Sequence, residues 1–305
     1  MDARERIALA IAHRETDRIP TGEITIADEI IGTLLGVDGV TFPDRVEFVN
    51  HLGIDAVCES PEWPTATSRL PDPADASWNS IGAWATGTDR FVFAMLEGVF
   101  GWGTRLMGFN GFLTACLKGS KQLLDLIQGV ERLNTDLAKR AAETGANGIL
   151  IADDIAHNQG TTVNPRALRE FFFPSLRRQL DGIACSKIPV FFHSDGNLNA
   201  VIDDLVEIGF QGLQCIESGA GMDLAHLKDT YGKRLCLWGS FDPRDLFLER
   251  NAEELERRVR HIIDVAAPGG GFIFGTSSGL VGGMRPENLA VVYRVVGECG
   301  SSSRR

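Results

Sequence analysis

Short apolar runs alternate with longer amphipathic segments along this chain of 305 residues, and the alternation constrains its fold more than any other feature. Most of the runs are too evenly apolar for a sheet with one face in water. Buried strands that alternate with helices are typical of parallel βα units. The apolar runs lie at 18–24, 54–60, 90–98, 148–156, 188–196, 211–219, 234–242 and 271–279.

Eight βα units predict an α/β fold closed into a single (β/α)8 TIM barrel, and periodicity alone leaves a doubly wound sheet as the alternative. The intervening segments carry helix signals. Asn164 suits a helix cap and Pro165 the first helical position, while Asn251 with Glu254 resembles a capping box. These signals support helices between the strands.

Three further segments complete the predicted organisation. The stretch 1–15 predicts a charged amphipathic helix before the first strand. The stretch 60–89 is rich in Pro, Ser and Asp and has no helical period, which predicts a long excursion after the second strand. We expect one barrel domain over 1–300 and a disordered tail over 301–305.

The composition narrows the classes of partner. A net charge of −11 and an isoelectric point near 5.1 oppose binding to nucleic acid. No apolar run approaches the roughly 20 residues of a membrane helix. The six cysteines include no CxxC pair, which favours reduced, buried thiols. We therefore expect a cytoplasmic protein that binds neither nucleic acid nor membrane.

Acidic side chains recur where the predicted strands end. Active sites of such barrels lie at this edge. Carboxylates that converge there repel one another unless a metal ion, a cationic ligand or shared protons compensate. The competing explanation is that some of them, Asp195 and Asp242 above all, cap the helices that follow. The strand-end residues are Glu23, Glu59, Glu97, Asp153, Asp154, His193, Asp195, Glu217 and Asp242.

His193 and Asp195 share strand parity, so both face the barrel axis if the strand stays extended through Ser194. A histidine at a strand end beside such a carboxylate favours a ligand or acid–base role over a structural one. Cys215 and Cys236 share parity with mouth residues but lie deeper, and we leave both out of the predicted ligands.

Several segments in order resemble the uroporphyrinogen decarboxylase superfamily, which includes the corrinoid-linked methyltransferases. They are "RERIALAIAHRETDRIP", "GILIADDIAHNQG", "NPRALREFFFPSLRR", "FFHSDGN" and "RPENLAVV". The resemblance covers nearly the whole chain and implies the barrel fold. It is closer to the methyltransferase branch, because "TGEITIADEI" stands where the decarboxylases have the arginine-rich "MRQAGRY".

The chain departs from the zinc methyltransferases of the superfamily at their sulfur ligands. Their His-x-Cys pair corresponds to His193 and Asp195, and their later cysteine to the segment that contains Ser277. Oxygen ligands in place of sulfur give a harder Lewis acid. The resemblance therefore implies a methyltransferase that moves a methyl group from a small methyl ether to a corrinoid held by a partner protein.

The predicted site follows from this resemblance. A divalent metal, zinc or a related ion, is assigned to His193, Asp195 and Glu217. Catalytic roles are assigned to Asp154, Glu23 and Asp153, and substrate binding to Glu59, Glu97, Trp102, Trp238 and Ser277. Aromatic residues near the mouth favour an aryl donor, although core packing explains most of them equally well.

Two other functions stay open at this point. One is a decarboxylase-like lyase acting on a tetrapyrrole or a small cyclic carboxylate, and the other is a barrel that binds a ligand without catalysis. A homodimer is a further expectation.

Overall fold

The computed structural model describes residues 1–63, 68–248 and 251–301, and eight parallel strands form its central sheet. The order along the sheet is β1-β2-β3-β4-β7-β8-β9-β10. The last strand returns to the first, since the Phe274 N–H donates to the Pro20 carbonyl at 2.8 Å and Thr21 bridges Phe274. The predicted TIM barrel is confirmed. The barrel strands are β1 Gly22–Glu23, β2 Ala56–Glu59, β3 Phe91–Glu97, β4 Gly148–Ala152, β7 Val190–His193, β8 Gly212–Gln214, β9 Cys236–Phe241 and β10 Phe272–Thr276.

Helices cover the outside of the barrel, and an antiparallel hairpin of β5 Ala156–His157 and β6 Gly160–Thr161 follows β4. The predicted N-terminal helix is confirmed as α1. The helices are α1 Ala3–Ile11, α2 Asp28–Leu35, α3 Phe42–Leu52, α4 Asn79–Gly87, α5 Val99–Met107, α6 Phe109–Lys118, α7 Lys121–Thr144, α8 Pro165–Ala167, α9 Phe173–Ile183, α10 Ile202–Ile208, α11 Leu224–Tyr231, α12 Arg244–Phe247, α13 Ala252–Ala266 and α14 Pro286–Ser301.

Large aromatic rings fill the barrel interior below the mouth. The Phe93 ring centroid lies 5.1 Å from that of Phe191 and 5.1 Å from that of Trp238. All three side chains are fully buried. Rings of this size pack the axis like any other core, so the barrel is closed beneath its mouth.

The chain after β2 makes the predicted excursion, but part of it is helical. Glu62 pairs with Ser77 in an antiparallel bridge, a 3-10 turn spans Pro73–Asp75, and α4 follows. The sequence there showed no helical period, and α4 is nevertheless packed, with Ile81 and Trp84 buried. Tertiary burial outweighs a weak local pattern here.

The predicted continuous helix after Pro165 is interrupted. A π-helical turn spans Leu168–Phe172 between α8 and α9. Pro174 lies just beyond it, and because proline has no N–H, the carbonyl of Glu170 has no helical donor four residues later. The chain widens at this point instead, with the Phe173 N–H bonded to the Leu168 carbonyl.

At the amino ends of the strands, buried charges are paired. Asp55, fully buried before β2, lies 2.6 Å from the Arg6 guanidinium of α1 and 2.7 Å from that of Arg18. Arg6 also contacts Asp17 at 2.7 Å. This network fastens α1 across the closed end of the barrel. The tail predicted as disordered lies outside the described residues, apart from Ser301 at the end of α14.

Candidate metal centre and substrate cavity

The candidate site lies at the open end of the barrel, where β4, β7 and β8 finish. Leu150 and Phe191 belong to the barrel interior. Because side chains alternate along a strand, Ala152 and His193, two residues further on, face the same way. Both line a cavity in the mouth. The extended strand thus carries His193 to the open end on its interior face.

The His193 ring is buried and held in one tautomer by β8. Its Nδ1 is hydrogen-bonded to the Gln214 side-chain oxygen, and since an amide oxygen only accepts, Nδ1 carries the proton. Gln214 is fixed in turn, because its amide nitrogen donates to the Ser277 carbonyl at 3.1 Å. The other ring nitrogen, Nε2, lies 3.6 Å from an Asp154 carboxylate oxygen and 3.9 Å from one of Asp195.

Asp195 and Cys215 complete a group of three potential metal ligands with His193. One ligand atom from each residue lies within 4.8 Å of the other two. The Cys215 thiol donates to the Asp195 Oδ1 at 3.0 Å. Cys215 follows the last residue of β8 and has a φ of 72°, in the left-handed region. A turn of the backbone, which strand parity does not anticipate, therefore brings the thiol to this metal-ligand cluster.

The metal-ligand cluster of His193, Asp195 and Cys215 has the donor types of a zinc site. Imidazole nitrogen, carboxylate oxygen and thiolate sulfur all bind zinc, and three protein ligands leave a position for substrate. Burial raises the pKa of the Cys215 thiol far above its usual range, and the adjacent Asp195 carboxylate raises it further. A divalent cation reverses this balance, because it favours the thiolate. The residues present therefore fit such a metal.

Two more carboxylates border the cluster and are bonded to the loop after β7. The Asp154 Oδ1 accepts from the Asp195 N–H at 3.0 Å, and the Glu217 Oε2 accepts from the Gly196 N–H at 2.8 Å. Glu217, predicted as a metal ligand, thus holds this loop through a hydrogen bond. The third member of the group of potential ligands is Cys215.

The mouth cavity has a volume of about 680 Å³ and a wall of aromatic rings. The Arg105 side chain lies over one of these rings. Its guanidinium carbon lies 4.9 Å from the Trp102 ring centroid, and its nitrogen is 2.8 Å from both carboxylate oxygens of Glu97. Glu97 and Trp102, predicted to bind substrate, therefore both line the cavity beside His193. The aromatic lining residues are Trp63, Phe100, Trp102, Phe109 and Phe112.

Glu23, predicted as catalytic, is buried beside α14 on the outer face of β1. Its carboxylate accepts from the Thr276 N–H at 2.8 Å, the Thr276 hydroxyl at 2.5 Å and the Tyr293 hydroxyl. Burial raises its pKa to about 7 against these donors. Gly22, the preceding residue, faces the interior ring of Trp238, so Glu23 points the other way.

Asp153, also predicted as catalytic, accepts from the first turn of α5. The Phe100 N–H donates to it at 2.7 Å and the Gly101 N–H at 3.3 Å. Burial raises its pKa to about 7. A Cβ at Gly98 would lie 2.1 Å from the Asp153 Cγ, so this close approach requires glycine. Asp153 is positioned to stabilise the amino end of α5.

Glu59 lies in a neighbouring cavity of about 620 Å³, which shares Ile24 and Met95 with the first. The Trp84 indole N–H donates to it at 2.6 Å, and burial raises the pKa of its carboxyl. Glu59 is thus separated from the metal-ligand cluster.

The last two predicted substrate residues differ in position. Trp238 is fully buried in the barrel interior, where its indole N–H donates to the Gly22 carbonyl at 2.9 Å. Ser277 lines a third cavity, of about 260 Å³. Gln214 was not predicted at all, although an amide within the apolar run "GLQCI" is the signal that marks it.

The fold and the site together define an α/β barrel with a candidate metal centre at its mouth. The chain belongs to the uroporphyrinogen decarboxylase (URO-D) family, whose model matches residues 86–299. No helix in the described part of the chain has the length and apolarity to cross a membrane.

Relatives in this family carry out different reactions. A uroporphyrinogen decarboxylase of Chlorobium phaeovibrioides is 25% identical over 177 residues, 57% of this chain and 48% of that protein. The methylcobamide:CoM methyltransferase MtaA of Methanosarcina barkeri is 28% identical over 193 residues, 61% of this chain and 54% of that protein. The chain spans about half the length of the curated relatives it matches, and family membership alone does not choose the reaction.

Solved structures with the same barrel include one named a methyltransferase and one named a methionine synthase. A methyltransferase from Methanosarcina mazei has a TM-score of 0.78 at 16% identity and covers 98% of this chain and 99% of its own. A B12-independent methionine synthase from Shewanella sp. W3-18-1 has a TM-score of 0.57 at 12% identity, covering 93% and 97%. At these identities the likeness shows the fold alone.

Proposed function

We propose that this chain is a metal-dependent methyltransferase that moves a methyl group between a small molecule and a corrinoid carried by a partner protein. The observation that supports it most is the metal-ligand cluster of His193, Asp195 and Cys215 beside an aromatic cavity. A relative named methylcobamide:CoM methyltransferase is consistent with this reaction, while relatives named uroporphyrinogen decarboxylase match at similar identity.

The three cluster residues would hold zinc or a related divalent ion. When bound, the metal supplies a Lewis acid that polarises the oxygen or sulfur of the small molecule. Gln214 accepts from the His193 Nδ1–H and so keeps Nε2 directed at the cluster. His193 is oriented in advance, because its ring is buried and this hydrogen bond is already made.

Asp154 is the residue we assign to proton exchange with the reacting heteroatom. Its side chain is 60% exposed, and its carboxylate lies 3.6 Å from the His193 Nε2. It therefore reaches both solvent and the site, as a proton carrier must.

The aromatic cavity is proposed to bind the apolar part of the small molecule. The aromatic side chains of Phe100, Trp102 and Phe109 line it, which suits an aryl methyl ether. The prediction from sequence of a metal without sulfur ligands, and hence of a methyl ether or a similar donor, is extended here, because Cys215 adds a sulfur ligand to the group. A thioether or thiol is an equally good fit to the cluster.

The lyase alternative has weaker support. Among the described residues that line the aromatic cavity, Arg105 is the one arginine or lysine, and Glu97 already binds it. A tetrapyrrole with several carboxylates would meet the acidic mouth without compensating charge.

The proposal is tested by metal analysis and methyl transfer on the full chain. We expect about one zinc per chain after dialysis, and formation of methylcobalamin from cob(I)alamin and 2-methoxyphenol. Substitution His193→Ala should abolish both. His157→Ala, at an exposed histidine in the adjacent hairpin, is the matched control and should retain both.

Full turnover by metal-free protein would contradict the metal-dependent reaction. Turnover of uroporphyrinogen, with none of methylcobalamin or cob(I)alamin, would select the lyase instead.

A further inference from the structure

A smaller cavity of about 260 Å³ opens at the barrel mouth, where it is lined by Ile216 and Glu217, which follow Cys215 in the chain. Its walls come from the segments after β8 and β10, from β9 and the segment that follows it, and from Asn158 of the β5–β6 hairpin, whereas the aromatic cavity draws on β3, β4 and β7. Since β7 and β8 are neighbours in the barrel, the cluster at their ends lies between the two cavities.

Ser240 gives the smaller cavity an unsatisfied polar group. The residue is 8% exposed and lines the cavity, yet its buried hydroxyl has no hydrogen-bond partner. Gly239 and Ser240 both have positive φ, at 109° and 80°, in the middle of β9. An unpartnered hydroxyl on a strained backbone destabilises the fold and suggests that a ligand completes it.

The remaining polar lining favours a neutral ligand. Ser277 and Ser278 place their hydroxyls 3.5 Å apart, and each can donate and accept. The carboxylates of Glu217 and Asp242 lie in the same wall and oppose an anion, while Asp242 already engages the Arg244 guanidinium at 2.6 Å. A hydroxyl group matches this mixture of donors and acceptors.

The volume limits the size of the occupant. A cavity of about 260 Å³ is smaller than the roughly 300–1,000 Å³ of sites that enclose drug-sized ligands. It therefore suits one end of a molecule whose other end lies elsewhere.

The smaller cavity is also joined to the cluster through one side chain. Gln214 contacts the His193 Nδ1 with its oxygen and the Ser277 carbonyl with its nitrogen. A ligand that bridges the cavity and the cluster would contact two walls whose relative position Gln214 already fixes.

We infer that this cavity binds a neutral, hydroxyl-bearing group of the small molecule whose heteroatom reaches the cluster. The inference rests on the proposed function and makes that molecule amphipathic, with an apolar part in the aromatic cavity and a hydroxyl in the smaller one.

Two thiols that differ by one hydroxyl test the inference. The full chain is loaded with Co²⁺, and 2-mercaptoethanol or ethanethiol is titrated while near-ultraviolet absorption reports sulfur bound to cobalt. We expect 2-mercaptoethanol to bind roughly tenfold more tightly, as one added hydrogen bond allows. Ser240→Ala should bring the two affinities within about twofold. Ser175→Ala, at a buried serine of α9 away from the cavity, is the matched control and should keep the preference.

Ser240→Ala should also keep or raise the melting temperature, because it removes an unpartnered hydroxyl. If it fails to fold, Gly219→Leu at the cavity rim serves instead, since its added Cβ would meet only the end of the Arg244 side chain. That variant should lose the preference by filling the cavity.

Equal affinity of the two thiols for the unmodified chain, or a preference unchanged in both cavity variants, overturns the inference while leaving the proposed function intact. Failure to bind Co²⁺ stoichiometrically contradicts the proposed function and this inference with it.

Discussion

The two ends of the barrel treat ionisable groups in opposite ways. At the amino ends of the strands, Asp55 lies between the guanidinium groups of Arg6 and Arg18. At the carboxyl ends, Asp195 and Cys215 gather around His193 with no arginine or lysine in the group. Charge that is paired within the chain fastens the fold, whereas ligand groups that gather without a counter-charge, here with the Asp195 side chain 46% exposed, are free to bind a cation. We therefore assign structure to the closed end and chemistry to the open one.

Removing the charge at the closed end should have the largest effect on stability. Asp55→Ala leaves Arg6 buried without its nearest carboxylate, and we expect a loss of about 3–5 kcal/mol in the free energy of unfolding. Chemical denaturation measures this. The variant should still bind zinc at the mouth while folded. A loss below about 1 kcal/mol would contradict the structural role that we assign to the closed end.

Glu23, at the carboxyl end of β1, sharpens the comparison between the two ends, because its hydrogen-bond partners are neutral. Its pKa is raised from 4.5 to about 7, so the folded state favours the protonated acid. The stabilisation is complete below about pH 4.5 and is lost as the pH rises through about 7, which amounts to about 3 kcal/mol. Denaturation across this range should show the decline. Glu23→Gln should remove about half of it, because Asp153, whose pKa is also raised to about 7, contributes the rest, and an unchanged slope would contradict the assignment.

Gln214 tests the support of the metal-ligand cluster. Gln214→Ala frees the His193 ring from its tautomer, and partners of this kind typically contribute 10–100-fold to metal affinity. Competition with a zinc chelator measures the affinity. Gln179→Ala, at a buried glutamine of α9, is the control, and the idea fails if both variants bind zinc like the unmodified chain.

Asp17 gives the smallest and opposite pH effect. The Arg6 guanidinium lowers its pKa from 3.8 to about 2, so its contribution is present above about pH 4 and is lost as the pH falls through about 2. Partial exposure limits it to about 1 kcal/mol. Asp17→Asn should remove this acid-side slope in urea denaturation and leave the slope near pH 7 unchanged. A shift near pH 7 would contradict the separation of the two ends.

The barrel and the position of the site were predictable from sequence because evenly apolar runs ending in polar residues mark buried parallel strands. The alternation of side chains along each strand further separates residues that face the mouth from residues that face the helices. Glu23, Glu59 and Asp153 alternate with interior residues, so they face the helices, while His193 faces the mouth. The alternation of residues along each strand therefore predicts which acids face the helices, whereas their position at a strand end does not.

Other features had no local signal. Cys215 reaches the cluster through a φ of 72°. Glycine is the residue that favours this backbone conformation, so a cysteine at this position does not predict the turn. The same holds for Ser240. Their positions follow from where neighbouring strands end, which only the assembled barrel determines.

Absorption of the Co²⁺-substituted chain tests the central claim most directly. We predict about one Co²⁺ per chain with a sulfur-to-cobalt charge-transfer band in the near ultraviolet, and loss of that band in Cys215→Ser while Cys236→Ser retains it. A chain that binds no Co²⁺, or a band that survives in Cys215→Ser, would contradict the account.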